Sequence, residues 1–299
     1  METHFHLRLA IVILLLVSSI HAASADNATE QRGWERFFKE FKAEGTIAIS
    51  DRRIGSESEL VFGNERANRR YSPASTFKIP HTLFALDAGV IRDESETIPW
   101  DGVERSIPAW NHDQNLRSSM RNSVVWVYQK FAREIGEERE RGYLKKIQYG
   151  NEDPTGKAPF WVEGNLCISA HEQIEFLKRF YTNQLPFSVD HQRIVKELML
   201  MESGTDWILR AKSGWSGSIG WWVGWVERPT GVIYFALNID TPNRMNDLPK
   251  REQITRAILI SLGALEQRPT EQDGTGQPAT RPESKSDSSS PPPLGGGRG

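Results

Sequence analysis

Apolar and polar positions along this chain fall into blocks whose period changes. Trp34 to Ala43 carries apolar residues at helical spacing and runs into Gly45, which predicts a helix and its stop. Thr46–Ser50 and Glu59–Phe62 are short β-prone runs bounded by Asp, Gly and Asn, and they read as a hairpin. A helix-like stretch follows from Thr76 to Asp87, with Pro73 before it and Gly89 near its end; Pro80 falls in its first turns, where a missing N–H is tolerated best. From about Ala109 to Leu198 the helical period dominates, most clearly over Ser123–Ile135 and His171–Tyr181. The pattern then switches. Arg210–Gly214, Gly220–Glu227 and Gly231–Asn238 are rich in Trp, Val and Phe with turn signals between them, which predicts a three-strand antiparallel meander. An amphipathic helix over Leu248–Leu265 closes the pattern. Strands near both ends with helices between them predict an α/β chain of the α+β type. Its antiparallel sheet, drawn from 45–63 and 210–238, is flanked by helices, and an all-helical subdomain is inserted at about 76–198.

Both termini stand apart from this pattern. Arg8, the nine apolar residues Leu9 to Val17 and the Ala23-Ser24-Ala25 site read as a secretory signal over 1–25. Such a run is too short to span a bilayer, which takes about 20 residues. The expectation is therefore a mature domain over 26–265 in the periplasm, with no membrane span after cleavage. From Glu266 the composition turns to Pro, Ser, Gly, Gln, Thr and charge, so 266–299 is expected to be a disordered tail.

Composition then removes function classes. A formal net charge of -2 gives no electrostatic footprint for nucleic acid or an anionic membrane. Cys167 is the single cysteine, so no intramolecular disulfide can form, and its apolar neighbours predict a small buried residue rather than a nucleophile. The histidines beyond the signal, His81, His112, His171 and His191, show no paired metal spacing, so no metal is expected. There is no G-x-S-x-G elbow and no P-loop.

The strongest local feature is Ser75-Thr76-Phe77-Lys78. Residues three apart on a helix share a face, so a serine hydroxyl can meet a lysine amine. Serine is a poor nucleophile until a base takes its proton, and lysine serves as that base only when desolvation lowers its pKa. Phe77 and Ile79 supply apolar neighbours, and helix N-terminal N–H groups beside Ser75 could stabilise an oxyanion. Alone, S-x-x-K recurs by chance. Here Ser123-Val124-Val125 and then Lys212-Ser213-Gly214 follow it in order, and Tyr149-Gly150-Asn151 lies between them. Taken singly, each reads as a cap, a turn or a strand residue; S-x-x-K, a middle serine and K-[ST]-G in sequence define the penicillin-recognising serine enzymes.

The stretch Tyr71-Ser72-Pro73-Ala74-Ser75-Thr76-Phe77-Lys78-Ile79-Pro80 resembles the active-site block of class D β-lactamases, or oxacillinases. So do S-x-V at Ser123–Val125, Tyr149-Gly150-Asn151, Phe160-Trp161-Val162-Glu163-Gly164, and Lys212-Ser213-Gly214 with the tryptophan-rich strand after it. The similarity runs from about Trp34 to Leu265. Ser213 stands where many relatives have Thr and keeps the hydroxyl; the tail is foreign to the family pattern.

The resemblance implies a serine β-lactamase/penicillin-binding-protein transpeptidase-like fold that hydrolyses penicillins and oxacillin-type antibiotics and confers resistance to them. It implies that Ser75 is acylated and that Lys78 carries a carbamate from CO2 (N6-carboxylysine) as general base, with no other cofactor. Val125 would keep the pocket apolar, and the Trp161 indole N–H would hold the carbamate. Ser123 would relay a proton to the leaving nitrogen. Lys212, Ser213, Gly214 and Tyr149 would bind substrate, with Arg251 rather than Arg244 gripping its carboxylate. The backbone N–H groups of Ser75 and Trp215 would form the oxyanion hole. Glu163 is expected to be structural, although a glutamate loop serves class A enzymes as deacylation base.

The expected partner is a small β-lactam, and monomer and homodimer both remain open. Two related readings compete. A penicillin sensor would acylate once and would need a membrane connection that the chain does not offer. A D-alanyl-D-alanine peptidase fits S-x-V and the tryptophan loop less well.

Overall fold

The structure, a computed structural model, describes residues 28–267. The signal expected over 1–25 and the tail from residue 268 onward lie outside the described residues.

Seven strands form one sheet. In chain order they are β1 (Thr29–Glu30), β2 (Gly45–Asp51), β3 (Ser58–Phe62), β4 (Leu200–Ser203), β5 (Ile208–Trp215), β6 (Ile219–Arg228) and β7 (Gly231–Asp240). Their spatial order is β1-β3-β2-β7-β6-β5-β4. Every pairing is antiparallel except β1 on β3, so the sheet is mixed rather than wholly antiparallel. The expected hairpin and meander meet where β2 pairs β7, with Ile47 opposite Leu237 and Ile49 opposite Phe235. Two strands had no signal in the sequence. β1 spans only two residues, and β4 carries no alternation strong enough to mark it apart from the helix before it.

The helices are α1 (Glu35–Glu40), α2 (Asn64–Asn68), α3 (Lys78–Asp87), α4 (Leu116–Arg121), α5 (Val125–Ile135), α6 (Glu137–Ile147), α7 (Ala170–Tyr181), α8 (Val189–Leu198) and α9 (Leu248–Ser261). Several differ from expectation at their ends. A 3₁₀ turn over Ala74–Phe77 precedes α3, so Ser75 sits on that turn and Lys78 opens the α-helix. Helix α5 begins at Val125, not Ser123, because Ser123 takes a left-handed φ of 52°. None of the helices among the described residues is long and apolar enough to cross a membrane.

Both faces of the sheet are covered, and the two-residue period of the strands sorts the side chains between them. Along β6, Trp221, Val223 and Trp225 join the helical-subdomain core with Phe77, Phe84, Tyr128 and Trp161. Trp222 and Val226 turn the other way, toward Phe37, Phe38, Ile254 and Ile258 of α1 and α9. Burying a large apolar side chain fully is worth about 1.5–3 kcal/mol, so this double-sided strand anchors both layers. It also fastens the Ser75 segment: Trp221 Nε1 donates to the Ser72 carbonyl at 2.9 Å.

One turn locks the tryptophan-bearing loop to the helices. Gly150 has φ +57°, and a Cβ built there would lie 2.0 Å from the Cys167 carbonyl oxygen, which accepts the Asn151 N–H at 3.0 Å. Gly150→Ala therefore has to displace backbone, and we expect a loss of at least about 2 kcal/mol. Chemical denaturation reads this directly; an unmoved midpoint would show that the turn adapts freely.

Candidate active site

The path from sequence to site begins at Ser72. Its hydroxyl donates to the Trp161 carbonyl at 2.8 Å, and the Ala74 N–H donates to the same oxygen at 2.8 Å. Ala74 takes a φ of 49°, an uncommon conformation for a residue with a Cβ, which turns the chain sharply into the 3₁₀ segment and presents Ser75. Lys78 Nζ then lies 2.9 Å from Ser75 Oγ, in hydrogen-bond contact. The lysine has no exposed surface, and the Tyr128 ring centroid sits 5.0 Å from its amine. Burial pushes the Lys78 pKa well below its ordinary value, and the nearby Lys212 charge pushes it further down. A neutral amine touching a serine hydroxyl can take its proton.

The second wall is β5. Lys212 Nζ donates to Ser123 Oγ and, at 3.0 Å, to the Ser213 carbonyl. Burial and then the Arg251 charge lower the Lys212 pKa to about 7. Gly214 explains how the strand comes so near the serine turn. A Cβ there would lie 2.9 Å from the Pro73 carbonyl oxygen and 3.2 Å from the Thr76 nitrogen, so only glycine permits this approach. Arg251, on α9, reaches the same glycine and donates to the Gly214 carbonyl at 2.7 Å and to the Leu248 carbonyl at 2.7 Å. Burial lowers the Arg251 guanidinium to about 10, which leaves it charged at neutral pH. Trp215 ends the strand, with its indole N–H bonded to Thr241 Oγ1 at 3.1 Å.

The structure thus brings Ser75 to Lys78, Ser123 to Lys212, and Gly214 to Arg251 and the Ser75 turn. Val125, half-buried, opens α5 two residues after Ser123. Trp161 is 1% exposed, and its indole N–H is a buried donor with no partner. Tyr149 departs from the expected position. It has no exposed surface, packs on Phe77 at 5.6 Å and Phe176 at 5.2 Å, and accepts from Gln173 Nε2 at 3.4 Å. The expectation that it binds substrate is corrected: a ring so enclosed supports the serine turn from beneath. Glu163 lies exposed and ion-paired to Lys157. Arg244 is exposed and stacks on Trp215, with its guanidinium carbon 5.5 Å from the ring centroid.

Sequence reasoning overlooked Tyr128, the aromatic face against the Lys78 amine. It also overlooked Thr76, whose hydroxyl donates to the Pro73 carbonyl at 2.7 Å and accepts from Gln173 at 3.0 Å. Tyr128 had no signal beyond its helical spacing, since the contact with Lys78 spans fifty residues of chain.

A serine hydroxyl bonded to a buried lysine on a helix-opening turn, facing a lysine-bearing strand, is the arrangement that the ordered motifs of penicillin-recognising enzymes predict. The comparisons agree. The family model described as "Penicillin binding protein transpeptidase domain" matches residues 22–260. The chain is 58% identical to β-lactamase OXA-3 of Pseudomonas aeruginosa over 261 residues, covering 87% of this chain and 95% of that one. It is 45% identical to β-lactamase OXA-48 of Klebsiella pneumoniae, covering 84% and 96% respectively. A crystal structure of a class D β-lactamase from Nostoc superposes with a TM-score of 0.74 at 39% identity, over 78% of this chain and 99% of that one. The chain belongs to the class D β-lactamases.

The buried Lys212 amine also links stability to pH. Because its folded pKa is about 7 and an unfolded lysine titrates near 10.4, the unfolded chain binds more protons between those values. Stability therefore gains from this group as pH rises through that window. Lys212→Met should remove up to one proton from the slope, about 1.4 kcal/mol per pH unit. Denaturation curves from pH 7.5 to 9.5 measure it, and identical slopes in parent and variant would contradict it.

Proposed function

We propose that this β-lactamase hydrolyses the ring amide of penicillins and oxacillin-type antibiotics through an acyl-enzyme on Ser75, with Lys78 carboxylated by CO2 as the base. One observation carries the reading. The Lys78 amine is wholly desolvated and touches Ser75 Oγ, while the nearby Trp161 loop leaves a buried indole N–H unpartnered. CO2 adds only to a neutral amine, and a buried donor without an acceptor is costly, so both groups fit a carbamate at this place. When bound, that group supplies an anionic base in a dry pocket, with the Trp161 N–H as its holder.

The remaining roles belong to the chain's own side chains. Ser75 Oγ gives up its proton toward Lys78 and bonds to the lactam carbonyl carbon. The backbone N–H groups of Ser75 and Trp215 receive the oxyanion, an arrangement supported by the tight approach at Gly214. As the C–N bond breaks, Ser123 passes a proton to the ring nitrogen, with Lys212 at its hydroxyl as the source. Lys212, Ser213 and Arg251 hold the substrate carboxylate, whose negative charge favours the protonated form of the buried Lys212 amine. Water then cleaves the ester and frees Ser75. Val125 and Tyr128 keep the lysine dry. The leader-like pattern of residues 1–25 supports export to the periplasm.

A steady-state panel of penicillin and oxacillin with and without bicarbonate tests this reading. Many turnovers per enzyme are expected, falling in acidic or CO2-depleted buffer because the Lys78 amine protonates or loses its CO2, and recovering when bicarbonate is added. A single stoichiometric burst would favour a sensor, and rates indifferent to both treatments would remove the carbamate. Separately, Trp161→Ala should slow deacylation more than acylation, because the base loses its orienting donor. Equal losses in the two steps, measured by acyl-enzyme accumulation, would refute that role.

A further inference from the structure

Helix α3 carries a second buried polar group one turn beyond Lys78, and the reaction above has no use for it. His81 has no exposed surface, and its Nε2 lies 2.7 Å from Oε1 of Glu140 on α6, which is 1% exposed. His81 Nδ1 and the other Glu140 oxygen have no hydrogen-bond partner. An ionisable pair this dry is expensive to bury, and apolar side chains could fill the same space. Its position shows what it accomplishes. The His81 ring packs edge-on against Trp161 at 5.0 Å and 62°, and lies 5.7 Å from Tyr128 at 43°. Those are the aromatic residue with the unpartnered N–H and the one whose face meets the Lys78 amine. Phe77, between Ser75 and Lys78, touches the imidazole at 5.0 Å and Trp161 at 5.7 Å. One ring therefore contacts both the aromatic face over the lysine amine and the tryptophan that packs on Phe77 beside it, and the bond to Glu140 fixes that ring's orientation.

We propose that His81, clamped by Glu140, is a positioning residue that sets the Trp161 and Tyr128 rings around Lys78 and so governs how readily that amine takes up CO2. The inference rests on the lysine reading above and adds the groups that tune it. The step concerned forms one N–C bond between the neutral amine and CO2 and releases one proton to water, so it needs no reagent beyond dissolved CO2.

The test titrates the full protein with ¹³C-bicarbonate and follows the lysine carbamate signal by ¹³C NMR, with thermal melting recorded alongside. His81→Gln retains an amide that reaches Glu140 but removes the ring, and Glu140→Leu leaves the ring without its clamp. Both should raise the half-saturating bicarbonate concentration roughly ten-fold, the lower end of what losing an outer partner costs a metal site. Glu140→Gln keeps an oxygen for the imidazole and should stay within about two-fold of the parent. A folded His81→Gln or Glu140→Leu with parental half-saturation overturns the inference, and so does a Glu140→Gln shift as large as that of Glu140→Leu. Because the two substitutions sit on different helices, either folded variant decides the matter. A parent with no carbamate signal at saturating bicarbonate overturns the lysine reading and this inference together, whereas a parental signal with unshifted variants overturns the inference alone.

Discussion

Everything at this site depends on keeping the Lys78 amine out of water. In solvent a lysine holds its proton until pH is near 10.4, and such a group cannot take a proton from serine or add to CO2 at neutral pH. Burial inverts that preference, because the charged form loses its hydration and gains no carboxylate to replace it. The aromatic residues Phe77, Tyr128 and Trp161 enclose the lysine and its turn, and the positive charge on Lys212 adds to the effect. The state of this amine is therefore first a matter of packing. A cavity that admitted water beside Lys78 would return its amine toward the charged form without changing any other group.

The enclosure exists only because two bodies of structure close on each other. The helical subdomain brings Ser75, Lys78, Ser123 and Tyr128; the sheet brings Lys212, Ser213, Gly214 and Trp215. A shared apolar core joins them, and near the serine turn the contacts are specific. Lys212 meets Ser123, Trp221 holds the Ser72 carbonyl, and Gly214 lets strand and turn approach to within backbone contact. Two cations that would repel each other, Lys212 and Arg251, are held near one strand, with Arg251 fastened to the Gly214 carbonyl. Burial, and after it the Arg251 charge, hold the Lys212 pKa well below that of a solvated lysine.

The loop that carries Trp161 serves both parts. Its backbone carbonyl takes two hydrogen bonds that shape the serine turn, from Ser72 and Ala74, and its side chain packs behind Lys78 through Phe77 and His81. The serine turn and the surroundings of the lysine are thus coupled through one residue, so a shift in this loop reaches both at once. Gly150 and the Cys167 carbonyl fix the neighbouring chain to which the loop returns.

Much of this was legible in the chain. Ser75 and Lys78 stand three apart on a helical pattern, and local geometry alone brings such positions together. The order of Ser123 and Lys212-Ser213-Gly214 after them, and the alternation along β6, located the second wall and the strand that anchors it. Strand β1 and strand β4 escaped because runs of two and four residues carry too little periodicity. Tyr149 was misread because a tyrosine in a turn motif looks available from sequence, while the fold encloses it between Phe77 and Phe176. The pairing of His81 with Glu140, the face of Tyr128 over the amine and the 3₁₀ geometry of the serine turn were decided only by tertiary structure. Each depends on which helix faces which across tens of residues. The amino-acid order determined which groups could do chemistry; the packing of helix on helix against the sheet decided which of them are dry, and dryness is what lowers the pKa of a lysine.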